Sequence, residues 1–177
     1  MSKERGRFVE SLKIIAAMTG IAVACGLLHD LFSSAVCTEY FTDHHPKIIE
    51  SRNWLAMALL WGVIATWWVG FFGGVWLAVC SQVGKSQPLP FEAVMKRAVK
   101  ATVIVLGLAP ITWIAIYMFG SQFVGMEASS NDVTELDVRL MASGIMHAQS
   151  YFLAGLFFLF MGLMMVWDRT RAVETEK

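Results

Sequence analysis

Long apolar segments alternate with short polar segments along the whole chain. At 1.5 Å of rise per helical residue, each apolar segment reaches about the ~30 Å thickness of a bilayer's hydrocarbon core. The four segments cover residues 14–36, 54–80, 101–119 and 140–167. The pattern predicts an all-α integral membrane protein with a single transmembrane domain over residues 1–177. The short connections favour a four-helix bundle in which the helices run up, down, up and down.

The composition agrees with a membrane protein. Apolar residues make up 56% of the chain and charged residues 16%, whereas soluble domains contain about 25% charged residues. The formal net charge is zero, and no basic excess is left to attract nucleic acid. We therefore expect the lipid bilayer, rather than a nucleic acid, as the main partner.

The basic residues predict the orientation of the chain, because short cytoplasmic loops are enriched in Lys and Arg. Eleven of the 14 basic residues lie before the first segment, between the second and third, or after the fourth, and only Lys47, Arg52 and Arg139 lie on the opposite side. Both termini are therefore expected in the cytoplasm, in what we interpret as a bacterial cytoplasmic membrane. A cleaved signal peptide is the alternative for the first segment, but the apolar run to Val36 is long for one.

Small residues recur every four positions in the second segment, where they form one face of a helix. They are Ala58, Gly62, Thr66, Gly70 and Gly74. Such faces let helices approach closely in lipid. Packing within the bundle is the favoured interpretation, and a homo-oligomer or a partner in a membrane complex is the alternative.

Proton-binding and metal-binding side chains concentrate at one end of the predicted bundle. His29 lies seven residues before the end of the first segment, and His147 lies seven residues after the start of the fourth. Both histidines are therefore expected about 10 Å below the outer surface. The loop that follows the first segment adds Glu39, His44 and His45. The shared depth indicates one outward-facing site.

Neutral imidazoles and a carboxylate are ligands for Zn²⁺, Fe²⁺ or Cu²⁺. The predicted metal ligands are His29, Glu39, His45 and His147. Hydrogen bonds from Asp30, Ser150 and Tyr151 are expected to support them. Such a centre suits redox or hydrolytic chemistry. The loop is expected to fold over the site, with Tyr40 and Phe41 as an apolar lid.

Two alternatives stay open for this cluster. In one, the protein is a non-enzymatic membrane subunit or sensor, and the polar groups only bond across the bundle. In the other, His29 and His147 are the axial ligands of a single haem. Catalytic residues, substrate and reaction are not indicated by any compact motif.

Several short motifs resemble those of a group of short bacterial four-span membrane proteins to which no function is assigned. They are an HD pair at His29 and Asp30, C-x-E-Y-F from Cys37 to Phe41, H-P at His45 and Pro46, G-x-I-A-T-W-W-V-G from Gly62 to Gly70, and H-x-x-S-Y from His147 to Tyr151. The resemblance covers the first, second and fourth segments. It implies a four-span fold, and it singles out His45 over His44.

Overall fold

The computed structural model of the chain describes residues 3–127 and 134–175. In these ranges the chain is helical and contains no strand, which confirms the all-α prediction. The helices are α1 (Lys3–Val36), α2 (Thr38–Asp43), α3 (Trp54–Ile64), α4 (Trp67–Gln82), α5 (Phe91–Glu127) and α6 (Glu135–Thr175).

Four helical stretches are long and apolar enough to cross a membrane, namely Glu4–Val36, Trp54–Gln82, Phe91–Gly120 and Glu135–Arg171. Many large apolar side chains on these helices are exposed on the outside of the bundle. A water-soluble protein would bury most of such a surface, whereas a bilayer covers it with lipid. The chain is therefore an integral membrane protein built as a four-helix bundle.

The spans form a ring in which each one packs against two neighbours. α1 lies between the α3–α4 pair and α5, and α6 lies between α5 and α4. α1 and α6 therefore face each other across the middle of the ring. We call the end with residues 36–54 the histidine end, and the end with residues 82–91 the basic end.

The small-residue face of the second span packs against α1. A Cβ atom on Gly70 would lie 2.6 Å from the Met18 carbonyl oxygen, and one on Gly62 would lie 2.8 Å from the Leu27 Cα. Both distances are too short for a side chain, so these glycines allow the two backbones to touch. The small-residue face therefore packs against α1 of the same chain.

The second span is broken, although its sequence predicts one continuous helix. α3 ends at Ile64, and α4 begins at Trp67 after a turn at Ala65 and Thr66. The Thr66 N–H donates to the Val63 carbonyl at 3.3 Å, three residues back, while the Thr66 hydroxyl donates to the Gly62 carbonyl at 2.5 Å. A hydroxyl that bonds back to the preceding turn is a known cause of such irregularities.

The basic end is held together by Arg169, which is only 6% exposed. Its guanidinium donates to the carbonyls of Cys80, Val83, Ser86 and Gln87 over 2.6–3.2 Å. These carbonyls end α4 and form the connection to α5, so one buried cation satisfies a helix C-terminus and a loop.

Candidate metal centre

The site begins with two adjacent residues of α1 that face the middle of the ring. His29 is 9% exposed and Asp30 is 4% exposed. His147 of α6 comes from the opposite side of the ring and is also 9% exposed. The histidine rings meet edge to face with their centroids 4.5 Å apart. The predicted convergence of His29 and His147 is confirmed.

One carboxylate oxygen joins the two histidines. Asp30 Oδ1 lies 3.0 Å from His29 Nδ1 and 3.3 Å from His147 Nε2. A donor atom from each of the three residues lies within 4.8 Å of the other two. Zinc–ligand bonds of about 2.0–2.1 Å place neighbouring donors of a tetrahedral site roughly 3.4 Å apart, so these separations suit a shared metal ion after small movements of the rings.

Hydrogen bonds on the far sides of the rings fix how the imidazoles are turned. His147 Nδ1 lies 2.7 Å from the Ser143 carbonyl oxygen, which can only accept, so this nitrogen carries a proton. His29 Nε2 lies 3.2 Å from the Ser150 hydroxyl. Bonds of this kind orient metal-binding histidines and set their tautomers.

The helical segment that carries His147 is held in turn by α5. Trp113 Nε1 of α5 donates to the Ser143 hydroxyl over 3.1 Å, and the Thr112 hydroxyl donates to the side-chain oxygen of Gln149. Ala142 and Met146 are fully buried against Trp113. Packing on one side of α6 therefore fixes the position from which His147 reaches the carboxylate.

The segment after α1 covers the histidines from the histidine end. The Tyr40 ring lies 4.6 Å from the His147 ring, and the Phe41 ring lies 5.6 Å from it. Phe41 is 2% exposed and packs against Trp61 of α3. This confirms the predicted apolar lid, and we call residues 38–43 with His45 the lid.

Glu39 and His45, the other two predicted ligands, have different neighbours in the structure. Glu39 Oε1 lies 3.9 Å from the Arg139 guanidinium at the start of α6, which connects the lid to the fourth span. His45 Nδ1 lies 2.9 Å from the Tyr40 carbonyl oxygen, and its ring packs on Trp61 with centroids 4.6 Å apart. Neither residue belongs to the group formed by His29, Asp30 and His147.

Asp30, Ser150 and Tyr151 were expected to support the ligands. Ser150 does contact His29, as expected, but Asp30 contacts both histidines directly and is the central acceptor of the group. The Tyr151 hydroxyl instead donates to the Ala65 carbonyl at the break in the second span, over 3.2 Å. Its bond therefore connects α6 to the break.

The haem alternative does not fit this geometry. Axial imidazoles stand on opposite faces of a porphyrin, with the iron between their nitrogens. Here the two rings touch each other and share one carboxylate oxygen. No porphyrin can be inserted between them without separating α1 from α6.

Sequence reasoning missed two features of the site. One is the direct role of Asp30, which its position beside His29 in the chain could have indicated. The other is Thr66, which lines the same cavity as the three buried residues. Because Thr66 belongs to the small-residue face of the second span, the sequence pattern indicated a continuous helix and not the break between α3 and α4.

No protein-family model, curated protein or solved structure matches the chain. The chemistry of the site is therefore inferred from its geometry.

Proposed function

We propose that the protein binds one transition-metal ion between His29, Asp30 and His147, and that this ion supports redox or hydrolytic chemistry inside the membrane. The site would face outward from a bacterial cytoplasmic membrane, with both termini in the cytoplasm. The distribution of basic residues supports this orientation. The resemblance to short bacterial four-span proteins supports a bacterial membrane.

The observation that carries the proposal is the position of His147 Nε2. Because Nδ1 holds the proton that is donated to Ser143, Nε2 of a neutral ring bears a lone pair. That lone pair lies 3.3 Å from Asp30 Oδ1, which is also an acceptor. Two acceptors at this distance repel each other unless a positive charge lies between them. The site therefore requires one cation, either a proton or a metal ion.

His29 strengthens the same requirement. The Ser150 hydroxyl can donate to His29 Nε2 or to the Met146 carbonyl, which lies 2.9 Å away, but not to both at once. When it donates to Met146, it accepts from His29 Nε2–H, and Nδ1 of the neutral ring then faces Asp30 Oδ1 with a lone pair at 3.0 Å. A metal ion between these two atoms would remove that second repulsion.

The ligand set resembles catalytic metal sites more than structural ones. Two imidazoles and one carboxylate leave coordination positions open for water or substrate, as in zinc hydrolases and non-haem iron enzymes. Structural zinc sites are usually closed by four protein ligands, often thiolates. Of the three cysteines, Cys25 alone lines the same cavity as these residues, and none belongs to the group. The donor set therefore favours Zn²⁺, Fe²⁺ or Cu²⁺ in an open site.

A proton in place of the metal ion is the competing explanation, and it corresponds to a non-enzymatic subunit. The Asp30→Asn variant separates the two. Its amide can donate to His147 Nε2 and so preserve the fold, but it removes the charged ligand. We expect wild-type protein purified in detergent to contain about one metal ion per chain by mass spectrometry, and the variant to lose it.

The exposed His44 provides a matched control, because it lies beside His45 at the histidine end but outside the group formed by His29, Asp30 and His147. The His44→Ala variant should keep the metal. Equal metal content in Asp30→Asn and His44→Ala would refute the proposal, as would wild-type protein that stays metal-free after incubation with Zn²⁺, Fe²⁺ and Cu²⁺ in turn.

The proposal includes the bilayer as the partner of the exposed apolar surface. Association with a second copy or another membrane subunit would have to use helix faces other than the Gly62–Gly74 face, which α1 covers. Gly20 and Gly155 have open space around them and offer such faces.

A further inference from the structure

A small cavity in the middle of the ring borders the buried histidines. Its volume is about 110 Å³, and its lining includes His29, Asp30 and His147 as well as Met18 and Met161. An engineered apolar cavity of ~150 Å³ takes up benzene or xenon. The cavity beside the histidines therefore has room for a molecule of a few heavy atoms.

The cavity exists because small side chains line it on three helices. Ala22 on α1, Ala98 and Ala101 on α5, and Ala154 on α6 all border it. Protein interiors are normally close-packed, and larger residues at these positions would fill the middle of the ring. The empty space is thus a direct consequence of the residues that the sequence places there.

The hydroxyl groups around the cavity are already used within the protein. Among the residues that the structure describes, four hydroxyls border the cavity. Those of Thr66 and Thr102 donate to the carbonyls four residues before them, over 2.5 and 3.0 Å, and that of Tyr151 donates to the Ala65 carbonyl over 3.2 Å. The fourth, Ser150, contacts the metal centre. A charged or strongly polar molecule would therefore lose its bonds to water without replacing them.

These properties argue against an ester or a peptide as the molecule that enters the cavity. Such substrates need hydrogen-bond donors for the negative charge that develops on the carbonyl oxygen, and the hydroxyls of Thr66, Thr102 and Tyr151 are directed to backbone carbonyls instead. They also carry groups on both sides of the bond to be cleaved, which exceed a volume of about 110 Å³. The cavity favours a small molecule without charge.

The surrounding bilayer is a source of such molecules. Large apolar side chains on the outside of the helices are exposed to lipid. Apolar molecules leave water for an apolar environment, so uncharged gases accumulate in the hydrocarbon around these side chains. A site within the membrane is therefore supplied with dissolved gas from every side of the bundle.

We propose that the cavity binds a small uncharged gas molecule next to the metal ion. This inference rests on the proposed function, because the ion held by His29, Asp30 and His147 is the group that would act on the gas. Dioxygen and carbon dioxide share the required size, lack of charge and solubility in hydrocarbon. Iron or copper in the site would select dioxygen, since both metals change oxidation state. Zinc has no redox chemistry and activates water, so it would select carbon dioxide.

Xenon is a suitable probe, because it is uncharged, apolar and close to dioxygen in size. Protein with ¹³C-labelled methionine methyl groups is titrated with xenon gas in detergent, and the methyl signals are followed by NMR. Met18 and Met161 line the cavity and are 3% and 9% exposed, whereas Met118 and Met164 are 64% and 56% exposed and report xenon dissolved in the detergent. We expect shifts that saturate with xenon pressure at Met18 and Met161 and shifts that rise linearly at the other two. Linear shifts at all four would overturn the proposal.

Substitution of Ala101 by Phe should fill the cavity and abolish the saturating shifts of Met18 and Met161. Ala115→Phe is the matched control on the same helix, because Ala115 is exposed on the outside of α5, and it should respond to xenon like wild type. Ala154→Leu fills the cavity from α6 and provides a second test if Ala101→Phe elutes as an aggregate. Saturating shifts that persist in a folded cavity-filled variant would overturn the proposal.

Metal content measured on the same samples separates this inference from the function on which it rests. Saturating shifts in wild-type protein that contains the metal support both. Saturating shifts in protein that stays metal-free after incubation with Zn²⁺, Fe²⁺ and Cu²⁺ support the gas-binding cavity and overturn the metal site. Bound metal without saturating shifts in wild type overturns the gas-binding cavity alone.

Discussion

Removing the imidazole of His147 should release the lid. The rings of Tyr40 and Phe41 rest on that imidazole, at centroid distances of 4.6 and 5.6 Å. Aromatic contacts of this kind contribute about 0.5–1.5 kcal/mol each, so their loss in His147→Ala weakens lid closure by roughly 1–3 kcal/mol. A change of that size raises the open population about 5- to 150-fold.

Limited proteolysis measures this population. The exposed Lys47 lies two residues after His45, the last residue of the lid, and offers a trypsin site. The cleavage rate follows the open population when opening and closing are fast. We expect faster cleavage after Lys47 in His147→Ala and an unchanged rate in the exposed-site control His44→Ala. The variant His147→Phe keeps a ring beneath Tyr40 and should stay near the wild-type rate.

Equal cleavage rates in wild type and His147→Ala would refute this reasoning. The lid would then be held by its contacts with Trp61 of α3 and by the Glu39–Arg139 ion pair. It would in that case be independent of the buried histidines, and the idea of one connected site would fail with it.

Three further predictions concern the bundle. Gly70→Ala places a Cβ 2.6 Å from the Met18 carbonyl oxygen, so it should lower the free energy of unfolding by about 1–3 kcal/mol, whereas Gly20→Ala has open space and should be neutral or raise thermal stability in detergent. Arg169→Met leaves several carbonyls of the α4–α5 connection unpaired, so it should lower the melting temperature more than Gly70→Ala does; an equal or smaller decrease would show that Arg169 does not hold the basic end together. In a variant without native cysteines, a cysteine at Glu50 should react with an impermeant maleimide from outside the cell, and one at Lys85 only after the membrane is opened; the reverse pattern would invert the orientation.

The helices and the membrane class were predictable from sequence because the signals are strong and local. Each span is an apolar run of membrane length, and periodic small residues mark a close helix contact. The depth argument that placed His29 and His147 together also needed only helix rise and span boundaries. These features depend on one segment at a time, and the structure agrees with them.

The composition of the buried group was harder to predict because it depends on rotation about helix axes. Glu39 and His45 have suitable chemistry and suitable depth, yet they point to Arg139 and to the Tyr40 carbonyl. For Asp30, the sequence shows the neighbours on its own helix, Ser33 and Ser34, but not the partner across the ring, His147. The break at Ala65 and Thr66 likewise depends on a hydroxyl bonding back to Gly62, which no periodic pattern reveals.

Stability alone does not account for the buried group. Well-packed apolar residues often replace a buried charged cluster at no loss of stability, and ionisable groups within a membrane span are expensive to bury. Here Asp30 and both histidines lie at the depth where the second span breaks, beneath an aromatic lid and at the edge of a largely apolar cavity. Each of these features departs from the simplest four-helix bundle, and the lid and the cavity both border His147. The metal ion that we propose between Asp30 and the two histidines would account for the burial of three ionisable groups at this depth.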